Sequence, residues 1–355
     1  MRPVARSVLT VVVVALAVLA GFAGGWYLHG SGSPGAGSTS STLSIIAAGT
    51  LAPILPGLAN RFAAETPGVA APAAAQLYEG STAAASALTL PGEPYDLFVS
   101  ADFRVIPQHL EPPVANVASW EIVYASDPLV LAYAGIAGIN STNWYEKIVG
   151  PGVVLGAPNA SIDPLGANVI FALELTDELV GLHGSLYGHF FSGPFGGFAE
   201  PTAATRIVAE NVAATALSTG EVSAYLIYRS YAIANHLAYV ALNGSVDLGG
   251  VSASDVAQYA TVNTTVLSGS STAVLVGAPI LFALTVPATA PEAALGIAFA
   301  AFLASSATAT AWAADGFVPL APLWSDHVTA LPGAIAGTAP NGVAALPPYL
   351  SSELA

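Results

Sequence analysis

The chain has 355 residues, 54% hydrophobic and only 8% charged, which is enough apolar material for one large or two medium cores and excludes disorder as a description of the whole. Its 22 Asp and Glu outweigh 7 Lys and Arg, for a formal net charge of −15, and only Arg61, Arg104, Lys147, Arg206 and Arg229 follow the first six residues. That inventory excludes a phosphate-tracking nucleic-acid surface. The lack of Cys excludes disulfides, thiolate metal sites, a Cys nucleophile and a cysteine lipid anchor.

At the start, Arg2 and Arg6 precede an uncharged, mostly apolar stretch from Ser7 to Leu28. Residues 1–28 read as a signal peptide, cut near Ala20 or Ala23, or as an N-terminal membrane anchor, since roughly 20 residues cross the hydrocarbon core. Basic residues stay inside, so the remainder is expected outside the cytoplasmic membrane, tethered to it or secreted after cleavage. Residues 29–42 form a Gly/Ser tether. Asn140, Asn159, Asn243 and Asn263 each begin an Asn-x-Ser/Thr triplet, which agrees with export.

The folded part opens with the apolar run Leu43 to Ala47, the turn Gly49-Thr50 and helical spacing over Leu51 to Ala64, a βα unit. A β-like patch near Ala73 to Tyr78 leads through Glu79-Gly80-Ser81 into the Ala-rich segment Thr82 to Leu88, and Tyr95 to Ser100 reads as another buried strand. Trp120 to Tyr124, Leu129 to Tyr133 and Val153 to Gly156 are further strand-like runs. After the turn Pro158 to Gly166 a helix is expected over Ala167 to Leu179, then a helix over Arg206 to Leu217, a strand over Ala224 to Tyr228 and a short helix over Ser230 to His236. Pro279 to Val286 reads as a strand, and Ala290 to Ala304 and Thr308 to Ala314 as Ala-rich helices that suit packing on the first lobe.

This alternation predicts an α/β protein whose sheets are mostly parallel and flanked by helices, with ligands at the carboxyl ends of strands, where helix N-termini present N–H groups. Two lobes are expected, one from residues 43–124 plus 279–322 and the other from 125–278, with a C-terminal tail over 323–355 and the ligand in the cleft between them.

No catalytic motif is present: there is no G-x-S-x-G, H-E-x-x-H, Walker loop or paired-Cys pattern, and His183 and His189 lack a third metal ligand. What remains is a set of loop positions, Gly49-Thr50, Gly80-Ser81, Asp163-Pro164-Leu165-Gly166, Glu210 and Tyr228. Singly, the first two are ordinary N-caps, Asp163 a turn former and Glu210 a solvated helix residue.

Taken in order, Ala48-Gly49-Thr50-Leu51, Glu79-Gly80-Ser81, Ala101-Asp102, Ile106-Pro107-Gln108, Asp163-Pro164-Leu165-Gly166, Gly220-Glu221-Val222, Ile227-Tyr228-Arg229-Ser230 and Gly316 to Leu320 resemble the archaeal tungstate/molybdate-binding proteins of ABC transporters, over about Leu43 to Pro322. The resemblance implies a two-lobed, periplasmic-binding-protein-like fold of class II type. It also implies a monomer that hands its oxyanion to an ABC permease with its ATPase, carries no cofactor and is not an enzyme. Thr50, in place of the family's usual Ser, and Ser81 would donate to the oxyanion. Asp163 and Glu210 would reach the tungsten or molybdenum itself, and Tyr228 would line the pocket. Two carboxylates beside a dianion repel it unless they bond to the metal, expanding a tetrahedral oxyanion to six-coordinate, a step difficult for sulfate or phosphate. Three other functions remain open: binding of another anion such as sulfate, phosphate or an organic anion; an exported enzyme using Asp163 and Glu210 as acid and base; and a surface adhesion or structural protein, suggested by the Asn-x-Ser/Thr triplets and low charge, against which the punctuated βα pattern argues for a cleft.

Overall fold

The computed structural model describes residues 41–70, 76–92 and 95–354; residues 1–28, expected to export or anchor the chain, and residues 29–40 of the tether lie outside them. Ser41 and Thr42, expected at the end of the tether, instead pair in parallel with Val69 and Ala70.

Apart from two short two-residue pairs, the strands in chain order are β1 (Ile45–Ala48), β2 (Gln76–Glu79), β3 (Leu97–Ser100), β4 (Ile122–Ser126), β5 (Leu129–Tyr133), β6 (Leu155–Ala157), β7 (Thr205–Ile207), β8 (Ala224–Tyr228), β9 (Tyr239–Ala241), β10 (Asn263–Ser268), β11 (Ser271–Val276), β12 (Leu281–Thr285), β13 (Val318–Ser325) and β14 (Val343–Ala345). The helices that matter below are α1 (Leu55–Glu65), α2 (Ser81–Leu88), α3 (Pro164–Val180), α4 (Ala213–Thr219), α5 (Arg229–Ala234), α6 (Ala293–Leu303) and α7 (Ser306–Ala314). A seven-stranded sheet runs β14-β13-β4-β12-β3-β1-β2 and a five-stranded sheet β7-β6-β8-β5-β9, so the molecule is a two-lobed α/β fold. Every residue of β1, β3, β4 and β12 is buried, a continuous apolar run rather than an alternating one, because helices cover both faces.

The sheets are mixed, which corrects the expectation of mostly parallel ones. Strands β2, β1 and β3 are parallel, as are β13 with β14 and β7, β6 and β8, but β12 is antiparallel to both β3 and β4, and β5 to both β8 and β9. The cause is the route of the chain between lobes. It leaves the first lobe at the end of β4, passes through Asp127-Pro128 directly into β5, and returns into β12, which therefore enters where β4 leaves and must run opposite to it. Asp127 N–H donates to Ile280 O at 3.2 Å, tying the two crossovers together, and Ser230 N–H donates to Asp127 Oδ1 at 3.2 Å.

A second correction concerns the helix expected over Arg206 to Leu217. Thr205–Ile207 is a strand paired in parallel with β6, Glu210–Val212 is a 3-10 turn, and only Ala213–Thr219 is α-helical. The β-branched Thr205, Ile207 and Val208 favour the extended edge position, and the helical spacing of the Ala-rich segment behind them concealed it. The hairpin β10–β11, with Thr- and Val-rich arms around Gly269, was also not anticipated. Residues 323–354, expected as a tail, are folded: β13 runs on to Ser325, and β14 adds to the edge of the large sheet.

Beneath the crossovers lies an aromatic cluster. Trp312 of α7 packs on Tyr124 (centroids 5.1 Å) and Phe317 (5.0 Å), and Phe282 meets Phe317 (5.1 Å) and Tyr228 (5.6 Å) edge-on. This cluster joins strands of both lobes at the base of the cleft.

Candidate functional site

Two loops of the first lobe face two acids of the second. The first loop follows β1, where Gly49–Leu51 forms a 3-10 turn and Thr50 is wholly buried. Thr50 N–H donates to Glu210 Oε1 at 3.0 Å. A Cβ at Gly49 would lie 2.7 Å from Glu210 Cγ, so only glycine permits the carboxylate to lie against the loop. The second loop follows β2 and opens α2, with Ser81 its first residue; Ser81 Oγ accepts the Ala101 N–H at 2.9 Å, which leaves its O–H to donate. A Cβ at Gly80 would lie 2.5 Å from Ile162 O and 2.7 Å from Asp163 Cβ, and Ala83 N–H donates to Ile162 O at 3.2 Å. The two glycines are therefore close-approach points between the lobes, and the Asn211 amide adds a bond to Tyr78 O at 3.1 Å beside them.

Asp163 is the N-cap of α3: its Oδ1 accepts the Leu165 N–H at 3.0 Å, Pro164 begins the helix and Gly181 ends it in the left-handed region. Glu210 begins the 3-10 turn after β7, not a solvated helix face, and is 2% exposed. Both acids thus lie at strand-to-helix connections of the second lobe, beyond the carboxyl ends of β6 and β7.

Burial sets the electrostatics. Loss of water pushes the Asp163 carboxyl up to about 7 against its one amide bond, and pushes Glu210 well above the usual carboxylate range, with the Asp163 charge adding to that and the amides of Thr50 and Gly49 opposing it. Burial and then the charges of Glu210 and Asp163 likewise raise the wholly buried Tyr228 phenol. Thr50 Oγ1 and Glu210 Oε2 are buried without a hydrogen-bond partner among the described residues. A buried hydroxyl and carboxylate oxygen left so are costly in an apolar site and are ready to bind a polar ligand.

The five residues singled out from the sequence, Thr50, Ser81, Asp163, Glu210 and Tyr228, are thus gathered around the line where the lobes meet. Sequence reasoning missed Asn168, buried on α3, whose Nδ2 lies 3.5 Å from Tyr228 Oη, and Tyr225, which donates to Val208 O at 2.7 Å and whose ring fills the place of a Cβ at Gly156. The signal for Asn168 is a lone amide inside the apolar run of α3. His183 and His189 join no metal-ligating cluster among the described residues.

Comparison with known proteins gives a consistent account. The family of bacterial extracellular solute-binding proteins matches residues 43–318. An uncharacterised solute-binding protein of Methanoculleus marisnigri is 28% identical over 267 residues, 68% of this chain and 72% of the relative. The molybdate/tungstate-binding protein WtpA of Thermococcus kodakarensis is 26% identical over 313 residues, 81% of this chain and 85% of that one. Among solved structures, the periplasmic molybdate-binding protein of Azotobacter vinelandii shares the fold, with a TM-score of 0.52 and 17% identity over 78% of this chain and 98% of its own. With a match across both lobes, two sheets joined by paired crossovers and a buried polar cluster between them, the chain belongs to the family of bacterial extracellular solute-binding proteins.

Proposed function

We propose that this solute-binding protein captures tungstate or molybdate between its lobes and, as a monomer outside the cytoplasmic membrane, delivers it to the permease and ATPase of an ABC transporter. The carrying observation is the pairing of two buried acids, Asp163 and Glu210, opposite two loops whose donors are neutral hydroxyls and amides. A site built only to hydrogen-bond a dianion gains nothing from two carboxylates, which repel it. Carboxylate oxygens are good ligands for a hard, high-valent centre. If each takes one position on the metal, the tetrahedral oxyanion becomes six-coordinate, while Thr50 and Ser81 donate to its oxo groups and Tyr228 closes one wall. The relative in Thermococcus kodakarensis, which carries that ligand class in its name, supports the same reading.

The test is calorimetric titration with tungstate, molybdate, sulfate and phosphate, followed by X-ray absorption of the tungstate complex. The expected result is tight binding of the first two, weak or no binding of the others, and a six-coordinate metal. A preference for sulfate or phosphate, or a four-coordinate metal in the complex, overturns the coordination reading.

A further inference from the structure

A second acidic cluster lies in the first lobe, at the end of β4 remote from the crossovers. Glu111 follows the short helix Val105–His109, and Asp326 and His327 follow the last residue of β13. His327 Nε2 is 3.0 Å from Glu111 Oε2 and 3.7 Å from Asp326 Oδ2, and one ligand atom from each of the three residues lies within 4.8 Å of the others. Two donors bound to one ion at ~2.1 Å are separated by about 3.0–3.4 Å for octahedral to tetrahedral angles; the Glu111–His327 pair already has that separation, and the Asp326 carboxylate, 3.7 Å from the imidazole, would have to draw in on binding an ion.

Glu121 supplies an independent observation. The antiparallel register pairs Val123 with Trp324, and its continuation by two residues sets Glu121 across from Asp326, on the same face of the sheet. Glu121 is wholly buried, and neither of its carboxylate oxygens has a hydrogen-bond partner among the described residues; the same holds for Glu111 Oε1 and Asp326 Oδ1. Two carboxyl groups thus meet one half-exposed imidazole, with the buried Glu121 behind them. Burying carboxylates together in this way is unfavourable unless they share protons or a cation compensates them.

We infer that Glu111, Asp326 and His327, backed by Glu121, form a binding site for one divalent transition-metal ion of the zinc class. The mixture of one imidazole with carboxylates selects such an ion over calcium or magnesium, which favour all-oxygen sets. The ion would join three separate pieces of chain: the loop after the Val105–His109 helix, the start of β4, and the segment that follows β13. The site is independent of the oxyanion reading, since Glu121 and the Asp127 crossover lie at opposite ends of β4, about 20 Å apart along an extended strand.

The test uses the untagged exported chain, stripped with a chelator and titrated with Zn²⁺ at pH 7.5 by calorimetry, with the thermal midpoint followed in parallel. One equivalent should bind and raise the midpoint by several degrees. His327→Ala, a half-exposed position whose loss leaves the core intact, and Asp326→Asn should each weaken binding at least tenfold and remove most of the thermal shift. Failure to bind one equivalent overturns the site and leaves Glu121 as a carboxyl that shares a proton with Asp326. Equal binding by parent and both variants overturns it as well, by locating the zinc elsewhere.

Discussion

Glu210 Oε1 accepts the backbone N–H of Thr50 at 3.0 Å, a bond that crosses from one lobe to the other between residues 160 apart in the chain. The same carboxylate lies against Gly49 so closely that a Cβ there would come within 2.7 Å of Glu210 Cγ and 2.8 Å of Oε1. The position of this acid is consequently fixed by residues of both lobes. A ligand that engages Glu210 would be felt directly at the first-lobe loop.

Gly49→Ala should therefore hold the lobes apart. Tungstate affinity is expected to fall at least tenfold with little change in thermal midpoint, because the clash is between lobes and not within either core. Gly80→Ala should act in the same way against Ile162 O and Asp163 Cβ. Small-angle scattering with and without ligand checks this, and a variant that compacts and binds like the parent would contradict it.

Asp163→Asn and Glu210→Gln separate coordination from hydrogen bonding by sign. An amide oxygen is a poorer donor to a hard cation than a carboxylate oxygen, so each variant should bind tungstate at least tenfold more weakly, about 1.4 kcal/mol or more. A purely hydrogen-bonded site would bind its anion as well or better once a repelling charge is removed. Titration calorimetry of both variants reads the difference.

The pH dependence carries the same distinction. With the lobes closed and no ligand, burial pushes Asp163 up to about 7 and Glu210 well above the usual carboxylate range, so the acids take up protons that coordination must release. Tungstate affinity is expected to rise from pH 6 to pH 8, by up to about tenfold per unit for each proton released. A hydrogen-bonded anion would show the opposite slope, since protonated acids do not repel it.

Stability of the ligand-free protein should run the other way. Asp127 and Asp163 both have folded-state values raised to about 7 by burial, so their contribution is fully present below the unfolded value near 4 and is lost as pH rises through 7. The thermal midpoint should be higher at pH 5 than at pH 8. Asp127→Asn should flatten that slope, and an unchanged slope would show that Asp127 does not titrate there.

Trp312→Ala tests the base of the cleft. Trp312 is 1% exposed, packs on Tyr124 and Phe317, and donates its indole N–H to Leu303 O at 3.1 Å. Truncation should cost about 3–5 kcal/mol in chemical denaturation, the range for a buried aromatic that leaves a cavity. A loss below 1 kcal/mol would mean the site collapses around the gap.

The local units are legible in the residues alone. The run Ile45 to Ala48 before Gly49-Thr50, Asp163-Pro164 at the head of a long apolar helix, and the strand ending at Tyr228 are each specified by neighbouring residues through apolar runs, caps and turn chemistry. Their order along the chain also carried the family resemblance. The rest depends on contacts between residues distant in the chain. Strand direction in the mixed sheets depends on where the chain crosses between lobes, which no local propensity encodes. The strand Thr205–Ile207 is too short to outweigh the helical spacing behind it, and pairing with β6 is what makes it extended. The burial of Glu210, its bond to Thr50 and the need for Gly49 beneath it all arise from packing residues of different lobes against one another. In sequence, Glu210 is one acid among 22; packing alone removes its water and gives it a partner across the cleft.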